Sequence, residues 1–120
     1  MDHQFLYAGL IRLHVLHHAQ REAIYGLSMI EELRRHGYRV GPGTLYPILH
    51  GLEKRGLLSS KQQRIGRGRR RLYRATPVGR QALSAAKARV RELFGELFEG
   101  AHGGQDYLSA PPATRRRIKR

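Results

Sequence analysis

The sequence predicts a mainly α-helical chain with one small β-hairpin and a long C-terminal helix, and three observations carry that prediction. Up to Gly56, apolar residues recur at helical spacing in three separate runs. Two short segments suited to strands then flank a glycine- and arginine-rich turn. Finally, a heptad-like apolar seam runs from Leu83 to Leu97, with few helix breakers in it.

The first run spans residues 3–19, where Leu6, Leu10, Leu13 and Leu16 keep one face and Phe5 and Ile11 widen it. QREAIYG breaks the pattern and LSMIEELRRHG resumes it, with Leu27, Ile30 and either Leu33 or Arg34 facing inward and Glu31, Glu32, Arg34 and Arg35 solvated. Gly37 is a C-terminal stop, preceded by basic residues where the helix dipole favours them. After YRVGPG, Leu45, Ile48, Leu49 and Leu52 fall at i, i+3, i+4 and i+7, giving a third helix that ends at Gly56. Its start has two solutions. With Thr44 as N-cap, Pro47 lies in the first turn, where no intrahelical acceptor is lost. With Pro42 at N1, Pro47 removes one internal hydrogen bond.

Leu57 to Gln63 and Arg71 to Thr76 read as strands around IGRGR, with Tyr73 packing inward. Thr76-Pro77 is an N-cap followed by N1 of the last helix, which runs to about Glu99. Leu83, Ala86, Val90, Leu93 and Leu97 form its seam, flanked by Phe94 and Phe98. From Gly100 the chain turns to glycine, proline, alanine and basic residues, the composition of a disordered tail. The expected organisation is residues 1–76 as one domain, 77–99 as a C-terminal dimerisation helix and 100–120 as a basic tail.

Composition narrows the function. The 120 residues hold 23 Lys plus Arg against 9 Asp plus Glu, a formal net charge of +14, which points to a polyanionic partner. No acid occurs between Lys54 and Arg91, while Lys54, Arg55, Lys61, Arg64, Arg67, Arg69, Arg70, Arg71, Arg74 and Arg80 crowd that stretch. Cysteine is absent, which excludes disulfides and thiolate metal sites and fits a cytoplasmic protein. FLYAGLIRLHVL is interrupted by Arg12 and His14 and is too short to span a bilayer, so no membrane partner is expected. No nucleophile–base–acid set or phosphate-binding glycine loop appears, so the chain is not read as an enzyme, and no cofactor is expected.

Three helices followed by a two-stranded hairpin is the order of a winged helix-turn-helix, in which the third helix enters the major groove and the wing reaches phosphates or the minor groove. GPGTLYPILHGLEKRGLL followed by GRGRRRLYRATPVGRQAL resembles the PadR family of bacterial transcriptional regulators, and YGLSMIEEL resembles that family's second-helix segment. The resemblance covers roughly residues 5–98. Leu27 stands where an aromatic is common, Gly41 where a Ser cap is frequent, and Gly51 where a basic residue is frequent.

The resemblance implies a homodimer, usually a repressor, paired through its first and last helices and straddling an inverted repeat in double-stranded DNA. It implies dimer contacts at Leu6, Leu10, Leu13, Leu83, Ala86, Val90, Leu93, Phe94 and Leu97. It also implies a small-molecule effector sensed near the dimer core, where Phe5, Tyr7, Phe94 and Phe98, with Leu10 and Tyr25 beside them, are the aromatic-rich set. DNA contacts fall on Thr44, Tyr46, Pro47, His50, Lys54 and Arg55 of the third helix and on Arg67, Arg69, Arg70 and Arg71 of the wing. Against these stand plainer roles: Thr44 as a cap, Tyr46 packed on the wing, His50 simply solvated, the aromatics as plain dimer core. Strand alternation places Arg69 and Arg71 on one side of the wing and Arg70 on the other. His14, His17 and His18 raise a metal question, since His14 and His18 are i, i+4 neighbours and a third ligand would have to come from His3 or a partner subunit. They are read as packing or interface histidines, with no metal site assigned. The main rival to a sequence-specific regulator is an architectural, non-specific double-stranded DNA-binding protein. An RNA-binding winged helix is disfavoured, because no exposed aromatic sheet is foreseen for stacking unpaired bases.

Overall fold

A computed structural model of the chain describes residues 3–99. In order, its elements are α1 (Gln4–Arg21), α2 (Gly26–Arg35), α3 (Pro42–Lys54), β1 (Leu58–Ile65), β2 (Gly68–Ala75) and α4 (Pro77–Phe94), which continues as a π-helical segment, Gly95–Glu99. The fold is therefore mainly helical with one β-hairpin and a long C-terminal helix. The chain forms two compact units, Met1–Ser84 and Ala85–Arg120, divided inside α4. The expected tail, residues 100–120, lies outside the described residues.

Two helix ends are closed by the same device. Gly37 (φ +91°) and Gly56 (φ +80°) take the left-handed conformation that a Cβ disfavours. This lets the amide of Tyr38 reach the carbonyl of Leu33 at 2.9 Å and that of Leu57 reach Leu52 at 2.9 Å. At the start of α3 the second of the two solutions holds. Gly41 is the N-cap, Pro42 opens the helix, and Pro47 lies inside it.

The first unit buries one face of each helix. Leu45, Leu49 and Leu52 of α3 meet Ile11, Val15, Leu16 and Ala19 of α1, and Met29, Ile30 and Leu33 of α2, in one cluster closed by Leu58, Tyr73, Ala75 and Leu83. Truncating one such leucine to alanine costs about 2–5 kcal/mol, so this cluster dominates stability. It also corrects three sequence expectations. On α2 the inward stripe is Met29, Ile30 and Leu33, and Leu27 is exposed, because the helix begins at Gly26 and its phase turns Leu27 away. On α1 the buried stripe is Ile11, Val15, Leu16 and Ala19, while Phe5, Leu6 and Leu10 form an exposed apolar surface. Leu83, expected in the seam of the last helix, is buried in this chain's own core, and Leu13 packs partly against that core.

The hairpin is longer and its turn tighter than expected. Pairing is antiparallel from Leu58↔Ala75 to Ile65↔Gly68, leaving only Gly66 and Arg67 in the loop. A two-residue hairpin turn needs a left-handed residue, which Gly66 (φ +55°) supplies, so the strands pair through the arginines. Behind β2, Ile24 makes an isolated bridge to Tyr73, with reciprocal backbone hydrogen bonds of 2.9 and 2.7 Å.

Thr76 caps α4 as its sequence predicts: its hydroxyl oxygen accepts from the Gly79 amide at 3.0 Å while the hydroxyl donates to the Gly56 carbonyl at 2.6 Å. Gly79 is required there. A Cβ at that position would stand 2.1 Å from the carbonyl oxygen of Leu57.

Two stability outcomes follow from this packing. Gly79→Ala should destabilise the first unit by about 1–3 kcal/mol, seen as a lower urea midpoint at unchanged slope. Tyr73, 1% exposed, has its phenol pushed above the usual tyrosine range, first by burial and then by the Glu53 carboxylate. Its neutral form is favoured by folding, so the stabilisation is complete below the ordinary tyrosine pKa and is lost as pH rises through the raised value. Spectrophotometric titration should find one phenol ionising after the rest and together with unfolding, and Tyr73→Phe should remove that step.

Candidate nucleic-acid interface

The apolar stripe of α3 faces the core, and that leaves Tyr46, Pro47, His50, Lys54 and Arg55 on its exposed side. Tyr46 and His50, one turn apart, hold their rings 6.3 Å apart. Tyr46 reaches from α3 to the start of α2. Its phenol lies over Gly26 at the start of α2, so closely that a Cβ there would fall 2.2 Å from the hydroxyl oxygen. Gly26 thus makes room for Tyr46, which stays 38% exposed.

Thr44 is neither the N-cap nor wholly free. Its hydroxyl donates to Gln4 Oε1 at 3.1 Å, and Gln4 Nε2 donates to the Arg39 carbonyl at 2.9 Å, tying the start of α3 to the start of α1. At the other end, the Arg55 guanidinium donates at 3.1 Å to the Gly51 carbonyl, which also accepts from the Arg55 amide. A Cβ at Gly51 would come 3.3 Å from that guanidinium, so glycine there leaves Arg55 room to lie back along the helix.

The wing arginines behave in two ways. Arg69 and Arg71 share the strand face that continues outward from Leu58, Tyr73 and Ala75, as alternation requires. Arg69 donates to Gln62 at 3.3 Å and Arg71 to the Ser60 hydroxyl at 3.1 Å. Arg70 is on the opposite face, half-buried, with its guanidinium 3.8 Å above the Tyr25 ring and its Nε donating to Gln63 at 3.0 Å. Tyr25 is therefore part of the wing's footing and not of the aromatic set on α1. Arg67 occupies the turn and is exposed. None of these four arginines makes an ion pair with a carboxylate among the described residues.

Glu53 stands out in the sequence as the one acid on this helix face, but with no role to assign to it. Its carboxylate accepts from the Ser60 hydroxyl at 2.6 Å, and Ser60 in turn accepts from Arg71. The acid thus braces α3 against the wing. Ser60, four residues into the segment predicted as β1, was the only available signal, and a serine on a strand carries little.

Beyond α3 and the wing, of the residues expected at a dimer interface Leu6 (72%) and Leu10 are exposed in the first unit and Val90, Leu93, Phe94 and Leu97 in the second, as are Phe5 (98%) and Phe98 of the aromatic set. The Phe94 and Phe98 rings lie 5.0 Å apart, tilted by 49°. Tyr7 packs edge-on against Tyr38 at 5.8 Å and lines a cavity of about 670 Å³ with Gln4, Ile11 and Val40. No helix among the described residues is long and apolar enough to cross a membrane.

Residues 15–85 match the model of the Transcriptional regulator PadR-like family. The chain is 51% identical over 99 residues to Transcriptional regulator Rv3488 of Mycobacterium tuberculosis, an alignment covering 82% of this chain and 89% of that protein. Among solved structures, a PadR family transcriptional regulator from Eggerthella lenta is 30% identical with a TM-score of 0.69, covering 88% of each chain. A PadR-like transcription factor from Bacteroides fragilis is 26% identical with a TM-score of 0.69, covering 78% of this chain and 92% of that one. The hairpin, the third helix between two glycine stops and the start of the last helix lie inside the matched residues 15–85, and the chain belongs to the PadR-like family of transcriptional regulators, DNA-binding winged helix-turn-helix proteins and not enzymes.

Proposed function

We propose that this chain is a homodimeric repressor that binds an inverted-repeat operator through α3 and the β-hairpin wing. The observation that carries this reading is the run from Lys54 to Arg91 without an acid, whose wing arginines have only neutral partners. Phosphates would exchange for those weak partners, and release of counterions would supply most of the affinity. Tyr46, Pro47 and His50, with Thr44 at the mouth of the helix, are the residues proposed to meet base edges. Lys54, Arg55, Arg69 and Arg71 are proposed as phosphate contacts. Arg67 at the tip is narrow enough in its glycine setting to enter a minor groove. Arg70, held over Tyr25, is proposed to act mainly by fixing the wing.

In the same reading, residues 1–76 are the DNA-binding domain and 77–99 the dimerisation helix. A second copy covers the exposed apolar surfaces of Leu6 and Leu10 and of Val90, Leu93, Phe94 and Leu97, with the half-buried Ala86 among them. Release by a small-molecule effector rests on aromatic side chains open to solvent: Phe5 and Tyr7 in the first unit, Phe94 and Phe98 in the second. The cavity beside Tyr7 is of a size that takes a small ligand. An effector would act by favouring a dimer geometry in which the two α3 helices no longer match the spacing of the repeat.

The decisive assay is binding to fragments of the protein's own upstream region in the presence of random-sequence competitor at two salt concentrations. A discrete inverted-repeat site that survives competitor is the expected result; complete loss to competitor would leave a non-specific DNA-coating protein. Arg69→Ala and Arg71→Ala should weaken specific and non-specific binding alike, each lowering the salt slope of the dimer by about two, one contact from each subunit. Gly26→Ala should keep the fold but push Tyr46 off its seat, reducing the preference for the operator over random DNA. Paired Leu93→Lys and Leu97→Lys should convert the dimer to monomer in sedimentation and abolish the advantage of a full repeat over a half-site.

A further inference from the structure

We propose that His14, His18 and His36 form a binding site for a divalent transition-metal ion of the zinc type, oriented by the Glu32 carboxylate. His14 and His18 lie one turn apart on α1, and His36 is the C-cap residue of α2. One ring nitrogen from each falls within 4.8 Å of the other two. Nitrogen ligands of a tetrahedral zinc, bound at about 2.0–2.1 Å, are separated by about 3.4 Å, so small ring rotations close the remaining gap. The sequence pointed to only two of these ligands, and looked to His3 or a partner subunit for the third. The fold brings the third from α2 of the same chain.

The surroundings suit an ion better than a packed aromatic cluster. Glu32 Oε2 lies 2.9 Å from His36 Nε2 and 3.6 Å from His18 Nε2, so one carboxylate fixes two of the three rings, the arrangement that commonly orients metal-binding imidazoles. Arg35 also reaches Glu32, through its other oxygen. The His14 ring is 4.8 Å from that of His36 and 5.3 Å from that of Tyr38, which walls one side. His36 is exposed and gives solvent a way in. A cavity of about 430 Å³ opens beside His18 and Glu32.

Donor chemistry selects the metal. Three imidazoles without a thiolate suit Zn²⁺, Co²⁺, Ni²⁺ or Cu²⁺, and do not suit Mg²⁺ or Ca²⁺, which take oxygen ligands. The fourth position is left to water. Such an ion would staple α1 to the end of α2, at the residue before the Gly37 turn that leads to α3.

The test uses the full chain, freed of metal and titrated with Zn²⁺ against a chromogenic chelator. One Zn²⁺ per chain is expected, with affinity falling at least tenfold in His14→Gln and in His36→Gln and staying within about threefold in His17→Gln, a neighbour outside the trio. Circular dichroism of each variant establishes that it is folded. Independently of any variant, Co²⁺ bound to the wild-type chain should give the intense visible spectrum of a tetrahedral site. Absence of stoichiometric Zn²⁺ binding at micromolar concentrations, an affinity indifferent to His14 and His36, or a weak octahedral Co²⁺ spectrum would each overturn the assignment.

Discussion

The backbone exchange between Ile24 and Tyr73 is the constraint on which the mutual geometry of α3 and the wing depends. A two-stranded hairpin alone is marginal in water, and this one carries a wing of arginines that repel one another. By accepting and donating at Tyr73, Ile24 gives β2 a second partner and sets the root of the hairpin against the connection between α1 and α2. The Tyr73 side chain then enters the core, closing the same cluster that buries Leu45, Leu49 and Leu52. Arg70 lies over Tyr25, the next residue along from Ile24, and the bond from Ser60 to Glu53 joins the other strand to α3. The wing's aim is thereby fixed relative to α3 by one backbone pair, one cation–π stack and one charge-assisted hydrogen bond.

Much of this was legible in the residues. The three helices, the glycine stops at 37 and 56, the N-cap at Thr76 and the buried face of α3 follow from local rules, because each depends on residues within one or two turns of one another. What periodicity misjudged depended on phase and on long-range partners. On α1 the residues at helical spacing were real, but the helix carries two apolar surfaces, and the more conspicuous leucines belong to the exposed one. Leu83 sits in register with the seam of α4, yet the close approach permitted by Gly79 draws the start of that helix onto Leu57 and takes Leu83 into the core. The hairpin turn was read too wide because IGRGR offers two glycines, and only Gly66 is needed.

The site was legible as a region, and individual residues less so. Strand alternation separated Arg70 from Arg69 and Arg71, but the ring that holds Arg70 comes from Tyr25, far away in sequence. The same limit applied to Gly26, whose role is set by Tyr46 on another helix, and to His36, which completes a trio that begins on α1. Pairwise tertiary neighbours leave no periodic trace in a single sequence.

Charge placement explains why such a basic chain folds at all. Self-repulsion grows with net charge, and the acids could have been scattered among the arginines to relieve it. Instead, Glu32 is committed to Arg35, His36 and His18, and hydrogen bonding from His36 foremost holds its carboxyl below the usual carboxylate range. Glu53 is committed to Ser60. The acids close to the core thus act as braces between elements, and the wing is left with amide and hydroxyl partners that satisfy donors without neutralising them. Apolar burial in the first unit carries the fold against this repulsion. The uncompensated positive field is then available to a polyanion, which would relieve the strain as it binds and so stabilise the folded chain by mass action.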